Sequence, residues 1–154
     1  MVGEGGRVTA IEFDDRLAER LAANFAGQPN LGALQGDGAQ VEFDPADVIY
    51  VNAGATRPAD IWLDRLKDAA RLILPLTSDK GFGENPENIP IQRRARYSAS
   101  SFPCEGARDA ECERALAAAF EKGGWERVTR LYRRGDLPDE QCWLNAPDWA
   151  LAYA

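Results

Sequence analysis

Apolar positions along the first half of the chain change between two spacings, which predicts alternating strands and helices. Short apolar runs rich in branched residues predict four strands, at 7–12, 31–35, 47–52 and 70–75. Apolar residues at helical spacing predict one helix after Asp14 and Asp15 that ends near Ala26, and a second over about 59–66. Strands that are apolar on both faces and alternate with helices are typical of a parallel sheet covered by helices. The first half is therefore predicted to be α/β.

The second half has a different pattern. The segment 78–90 is rich in Gly, Pro and Asn and is predicted to be a surface loop, and 91–101 is predicted to be an edge strand. Asp109 is positioned to cap a helix that ends at Gly123. Three further apolar runs, at 127–133, 142–144 and 149–153, predict a closing antiparallel hairpin, with a turn at 135–140. No repeat or linker divides the chain, so residues 1–154 are expected to form a single domain.

Composition narrows the range of functions. The chain has 18 Lys and Arg against 25 Asp and Glu, a formal charge of −7, so neither nucleic acid nor a membrane surface is predicted as a partner. It contains no histidine, which excludes Ser-His-Asp and Cys-His catalysis within the chain. The three cysteines lack CxxC spacing, so no metal site or disulfide framework is predicted, and Cys104 is interpreted as structural. The absence of a signal-like or membrane-spanning run predicts a cytoplasmic location.

Polar residues follow three of the predicted strands, where ligands bind in open α/β sheets. Glu12 ends the first strand, and its two carboxylate oxygens suit the vicinal hydroxyls of a ribose. Asp37 lies beside Gly36, where the backbone can approach a flat ring and the carboxylate can accept from an exocyclic amine. Asn52 ends the third strand. Taken singly, each acid has the alternative interpretation of a solvated loop residue, and Glu12 that of a partner for Arg16.

Four segments carry a resemblance to a known family, in the family's order along the chain. The segments are 6–14, 35–38, 47–54 and 70–76. Together they resemble the class I S-adenosylmethionine-dependent methyltransferases, closest to the protein-L-isoaspartate O-methyltransferase-like branch, over about residues 7–76. The resemblance implies a Rossmann-like, mostly parallel sheet with a C-terminal antiparallel hairpin. It implies S-adenosylmethionine as cofactor and, as one possibility, methyl transfer to an isoaspartate-type protein carboxylate, which needs no strong base.

The same resemblance implies roles for the candidate residues. Glu12 would bind the cofactor ribose, Asp37 with Gly36 would meet the adenine, and the segment from Asn52 to Thr56 would lie beside the methionine end and the substrate. The catalytic residues stay unidentified. Two alternatives remain open. One is a non-catalytic fragment or interaction module that does not bind cofactor alone, and the other is a fragment of a dinucleotide-binding oxidoreductase, whose ribose Glu12 could also bind.

The chain departs from the family at its N-terminal end. The family's first strand and its glycine-rich loop precede the strand ending at Glu12, whereas here only residues 1–6 do, and the glycines at 3–6 are interpreted as a turn. We therefore expect a partial fold, truncated at the N-terminus, with a gap between the strands that end at Glu12 and Asn52. Re-pairing of those strands, a homodimer, or a partner supplying the missing half could close the gap. Cofactor binding by the isolated monomer is expected to be weak or absent.

Overall fold

The computed structural model describes residues 2–78, 104–133 and 142–153. The predicted loop at 78–90, apart from Ser78, the edge strand at 91–101 and the turn at 135–140 lie outside these residues. Seven strands and three α-helices are described, in the order β1 Val8–Glu12, α1 Asp15–Asn24, β2 Leu31–Gln35, β3 Ala46–Tyr50, α2 Asp60–Asp64, β4 Leu66–Ile73, α3 Ala110–Lys122, β5 Val128–Arg133, β6 Cys142–Asn145 and β7 Trp149–Tyr153. Short 3₁₀ helices precede and follow α3, at Glu105–Ala107 and Trp125–Arg127.

Side-chain caps begin the two longer helices at the predicted aspartates. The Asp14 carboxylate accepts from the backbone N–H of Leu17 at 3.0 Å, which satisfies one of the free donors at the start of α1. The Asp109 carboxylate accepts from the N–H groups of Glu111 and Cys112 at 2.9 and 2.8 Å, at the start of α3. The end of α3 at Gly123 has a left-handed φ of 67°, a conformation that glycine adopts without strain.

The strands form three separate hydrogen-bonded groups. β1 pairs with β2 and β3 with β4, both in parallel, and an isolated parallel bridge from Ala55 to Leu76 prolongs the second pair. β7 lies between β5 and β6 and is antiparallel to both. The parallel first half and the antiparallel C-terminal sheet agree with the predicted α/β architecture. The predicted hairpin is corrected in one respect, because the strands before and after 135–140, β5 and β6, are not neighbours and β7 pairs with both. Within the described ranges, β1 and β3 each have a strand on one side only, so no described strand joins the two parallel pairs at the position where the gap was expected.

Two apolar clusters hold the described residues together. The first lies around β3 and α2 and includes Ile49, Val51 and Trp62. The second lies where α3 packs on β6 and β7, and it includes Leu116, Trp143 and Trp149. The β1–α1–β2 unit contributes one buried apolar side chain, Ala18, so this unit has little core of its own.

Several apolar side chains are exposed where a covered surface was expected. The apolar stripe predicted for α1 is only partly covered, because Leu17 and Phe25 remain 39% and 40% exposed. On one face of β3 and β4, Val48, Tyr50 and Ile73 are 45%, 67% and 51% exposed. Parallel sheets are normally covered on both faces. The stripe on α1 and the exposed face of β3 and β4 are therefore as apolar as surfaces that pack against another element, but no described residues cover them.

The bounds of β3, α2 and β4 differ from their predictions. β3 ends at Tyr50, so Asn52 lies two residues after the strand that it was expected to end. α2 ends at Asp64 instead of continuing to Leu66, and β4 begins at Leu66 rather than Ala70. The Arg65 carbonyl accepts from the N–H of Ala46 at 2.8 Å, which draws this chain segment onto β3 immediately after the helix. Strand pairing therefore replaces the last helical turn that the apolar spacing predicted.

Candidate functional site

The C-terminal ends of β1 and β2 bring Glu12, Gly36 and Asp37 into one corner. The two strands pair in register from Val8 with Leu31 to Glu12 with Gln35. Directly after this register, the N–H of Gly36 donates to the Glu12 carbonyl at 2.9 Å. One Glu12 carboxylate oxygen accepts from the N–H of Asp14 at 3.0 Å, which turns the chain toward α1. The parallel pairing thus places the two predicted acids on adjacent strand ends.

The backbone conformation of this corner requires a glycine at position 36. Its φ is +145°, in a region that side-chain-bearing residues rarely adopt, and a Cβ built on it would lie 2.5 Å from the Cγ2 atom of Val41. The absence of a side chain therefore allows β2 to end against Glu12 and the following loop to fold back over Gly36. This is a backbone role, which the sequence interpretation of Gly36 only partly anticipated.

The Asp37 carboxylate has a different set of partners on each oxygen. Oδ1 accepts from the N–H of Ala39 at 2.9 Å and from the thiol of Cys104 at 3.4 Å. Oδ2 accepts from the side-chain amide of Gln40, an exposed residue, at 2.8 Å. The Asp37 carbonyl also accepts from the N–H groups of Gln40 and Val41, which closes the turn. Asp37 is therefore held as the first residue of a tight loop and remains partly exposed.

Two groups from outside the loop hold it in place. The indole N–H of Trp62, the buried residue of α2, donates to the Gly38 carbonyl at 2.7 Å. On the other side, burial and the neighbouring charge of Asp37 raise the pKa of the Cys104 thiol to about 12, so the thiol stays protonated and remains a donor. Gly106 approaches so closely that a Cβ on it would lie 3.0 Å from the Ala39 Cβ. The interpretation of Cys104 as purely structural therefore omitted its contact with Asp37.

Asn52 occupies a separate position after β3. Its side chain is exposed, and its Oδ1 accepts from the Tyr50 hydroxyl at 3.5 Å. In the part of the chain that is described, no hydrogen bond joins Asn52 to Glu12, Gly36 or Asp37. The structure therefore brings three of the four candidate residues together and, within the described ranges, leaves Asn52 without a hydrogen bond to them.

The segment after Asn52 is anchored to the residues before α3. Thr56 is fully buried, and its hydroxyl accepts from the N–H of Asp109 at 2.8 Å. The backbone N–H of Thr56 donates to the Ala107 carbonyl at 2.9 Å. The 104–109 segment thus contacts both the Asp37 loop, through Cys104, and the loop after β3. Thr56 faces protein and fixes the position of this loop.

Neither a metal-binding cluster nor a membrane-spanning helix is found in the described ranges. No group of three or more His, Cys, Asp or Glu side chains there is arranged to hold a metal ion. None of the helices described is long and apolar enough to cross a membrane.

Parallel strands joined by helices, with acceptors at the strand ends, define the class of this protein as a Rossmann-like α/β fold. The model of the protein-L-isoaspartate(D-aspartate) O-methyltransferase family matches residues 1–85, which is more than half of the chain. The chain belongs to this family, a family of S-adenosylmethionine-dependent methyltransferases. The resemblance inferred from the four sequence segments is thereby confirmed.

Curated relatives of this chain carry the name of the same family. A protein-L-isoaspartate O-methyltransferase of Thermotoga maritima is 34% identical over 80 residues, covering 49% of this chain and 25% of that protein. One from Ralstonia nicotianae is 32% identical over 105 residues, covering 66% of this chain and 33% of that protein. Protein-L-isoaspartate O-methyltransferase 2 of Arabidopsis thaliana is 34% identical over 86 residues, with 49% and 28% covered. The chain thus spans about a quarter to a third of the length of these relatives.

Proposed function

We propose that this chain carries the nucleoside-binding corner of an S-adenosylmethionine site, and that the complete fold methylates the carboxylate of an isoaspartyl residue in a protein. The observation that carries the proposal is the joining of Glu12 and Asp37 through the 2.9 Å hydrogen bond from Gly36 to the Glu12 carbonyl. Both acids lie within the residues that the family model matches. The substrate is suggested by the names of the matched relatives, which are protein-L-isoaspartate O-methyltransferases.

The acceptors of the corner fit an adenosine group. Glu12 uses one carboxylate oxygen on the Asp14 N–H and keeps further acceptor positions for two ribose hydroxyls. Asp37 Oδ2 accepts from the exposed Gln40 side chain, which can rotate away and leave that oxygen to an adenine amine. When bound, S-adenosylmethionine supplies an electrophilic methyl group. The residues of this chain would then act by holding the nucleoside and orienting it.

The proposed acceptor is consistent with the residue types available. A carboxylate is already ionised at neutral pH and needs no general base before it accepts a methyl group. The chain has no histidine, the side chain that most often removes such a proton. Methylation of a carboxylate thus requires proximity and orientation more than proton transfer within this chain.

The second part of the proposal is that a further strand of the family fold lies between β1 and β3. Within the described residues, both strands have a free edge, and unpaired edges readily pair with another segment. The exposed apolar residues Val48, Tyr50 and Ile73 provide the surface that helices of the complete fold would cover. The matched relatives are about three to four times longer than the matched region, so they contain sequence that could supply such a strand. A longer protein, a partner chain or a second copy are the three possible sources.

The test is calorimetric titration of S-adenosylhomocysteine into the chain, with the molecular mass measured on the same sample. We expect micromolar binding where the strand is supplied and only millimolar binding, or none, by the 16.9 kDa monomer. Glu12→Gln and Asp37→Asn should each abolish binding, whereas Glu19→Gln, on the exposed side of α1, should not. Unchanged affinity in both corner variants would contradict the assignment.

Two further outcomes separate the alternatives. The non-catalytic interaction module would be favoured if millimolar S-adenosylhomocysteine is bound neither by any oligomeric form of the chain nor after addition of the matching N-terminal part of a relative. Where binding is found, methyl transfer is measured with an isoaspartyl peptide and its aspartyl twin. Equal methylation of both peptides would contradict the proposed substrate.

A further inference from the structure

The two carboxylate oxygens of Asp37 differ in how permanently they are occupied. Oδ1 accepts from a backbone N–H, that of Ala39, and from the Cys104 thiol, so its two lone pairs are used by groups fixed in the fold. Oδ2 accepts from the Gln40 side chain, which is exposed and has several rotatable bonds. A ligand can therefore displace the partner of Oδ2 but not the partners of Oδ1.

Cys104 is held against Asp37 by its surroundings and not by its own side chain alone. The Ala107 N–H donates to the Cys104 carbonyl at 2.9 Å, and this turn continues into the buried contact of Thr56 with residues 107–109. The thiol is half-buried in the cluster that contains Trp62. Because burial and the charge of Asp37 both oppose ionisation, the thiol presents a hydrogen to Oδ1 throughout the neutral range.

The Trp62 indole provides a second, independent constraint on the same loop. Its 2.7 Å hydrogen bond to the Gly38 carbonyl fixes the residue next to Asp37 from the side of α2. Between them, the indole and the thiol limit rotation of the Asp37 carboxylate and of its backbone. The loop is thus preorganised before any ligand arrives.

We propose that Cys104 is a positioning residue for the purine subsite: its thiol occupies Asp37 Oδ1 and so presents Oδ2 to a purine that offers an amine donor. This inference rests on the proposed function. An adenine presents an exocyclic amine hydrogen to Oδ2. Hypoxanthine presents a carbonyl oxygen at the same place, which repels the carboxylate. Cys104 therefore contributes to the selection of adenine over hypoxanthine without touching the purine.

The first experiment needs no ligand. The rate of iodoacetamide alkylation of Cys104 is followed against pH by mass spectrometry of its peptide, in the wild-type chain and in Asp37→Asn. Removing the charge beside the thiol should lower the pKa of Cys104, and at a fixed pH below that pKa the rate should rise about tenfold for each unit of the decrease. Cys142, on β6, serves as the control thiol in the same sample. An unchanged rate at Cys104 would overturn the proposed contact.

The second experiment measures purine selectivity with adenosine and inosine, which require only the corner and not the methionine end of the site. Dissociation constants are obtained by NMR titration, in the oligomer or complex that binds S-adenosylhomocysteine, for the wild type, Cys104→Ala, Cys104→Ser and the control Cys142→Ala. The preference for adenosine should fall by about three- to tenfold in Cys104→Ala, the worth of one hydrogen bond. Cys104→Ser keeps a donor and should retain the preference. An unchanged ratio in Cys104→Ala would overturn the inference.

The two experiments separate the inference from the function on which it rests. If the wild type binds neither nucleoside even in the form in which the strand between β1 and β3 is supplied, the nucleoside-binding proposal fails, and the selectivity role fails with it, whatever the alkylation shows. If adenosine binds through Glu12 and Asp37 but Cys104→Ala keeps its selectivity, only the role of Cys104 is overturned. Thermal unfolding of each variant shows whether a change in selectivity reflects loss of folding. The Cys104→Ser and Cys104→Ala variants are both compared in this way.

Discussion

A single methyl group at Gly36 should have a large effect, because the backbone there excludes side chains on two grounds. The φ of +145° is a conformation in which a residue with a Cβ is strained, by about 1–3 kcal/mol. The added Cβ would also lie 2.5 Å from Val41 Cγ2, and a β-branched side chain has little freedom to rotate away. Overpacking of this kind costs about 1–3 kcal/mol. Gly36→Ala should therefore destabilise the folded chain by roughly 2–6 kcal/mol.

Gly32 gives a matched control four residues earlier in the same segment. It lies inside β2, its φ is not in the left-handed region, and a Cβ built there meets nothing within 4 Å. Gly32→Ala should be neutral or stabilise the chain by about 0.4–1 kcal/mol, since it restricts the unfolded state. The free energies of unfolding of the two variants are compared by urea denaturation, followed by circular dichroism. Equal stability of Gly36→Ala and Gly32→Ala would refute the account of this turn.

Three other predictions concern the distribution of stability. Leu116→Ala, at a fully buried position of α3, should lower the free energy of unfolding by about 2–5 kcal/mol in urea denaturation. Leu17→Ala, on the exposed stripe of α1, should change it by no more than about 0.5 kcal/mol. Similar losses of stability in the two variants would show that α1 is covered. In hydrogen exchange, the amides of β1, α1 and β2 should exchange faster than those of α3 and β7, because Ala18 is the buried apolar residue of that unit; the reverse order would contradict this. The hydrogen bond from the backbone N–H of Cys112 is the main cause that holds the pKa of Asp109 below its usual value. The stability that the Asp109 carboxylate gives is therefore present above its unfolded-state pKa and is lost as the pH falls through its folded-state pKa. Asp109→Asn keeps the cap and should lose that acid dependence in thermal unfolding measured from about pH 2 to 6, and a pH profile equal to that of the wild type would contradict the prediction.

Local patterns predicted the secondary structure well where the local signal and the tertiary contacts agree. The N-caps Asp14 and Asp109, the strand at 31–35 and the helix end at Gly123 are all found at the predicted positions. The start of β4 was missed because the pairing of the Arg65 carbonyl with Ala46 is a non-local contact that no periodicity reports. The degree of burial of α1 was also not predictable, because amphipathicity shows which face can be covered and not what covers it.

The candidate site was predictable in its acids but not in what holds them. Glu12 ends β1 and Asp37 follows the end of β2 by two residues, and such positions can be located from sequence. The contacts that fix Asp37 come from Trp62 and Cys104, which are 25 and 67 residues away along the chain. Trp62 lies on an apolar stripe, and Cys104 lacks a partner nearby in sequence. Core packing was therefore a sufficient interpretation of each residue, and nothing in the sequence linked either one to Asp37. Only the folded chain brings them to the loop.

The distribution of contacts makes the proposed ligand a link between two parts of the molecule. Glu12 belongs to the β1–α1–β2 unit, which has little core, whereas the groups that fix Asp37 belong to the better-packed cluster around α2 and β3. A nucleoside held by both acids would bind the folded arrangement and not the opened one, so it would stabilise the weaker unit by mass action. A strand inserted between β1 and β3 would act on the same equilibrium. Under the proposed function, each event should therefore strengthen the other, and adenosine at saturating concentration should slow hydrogen exchange in β1 and α1 more than in α3.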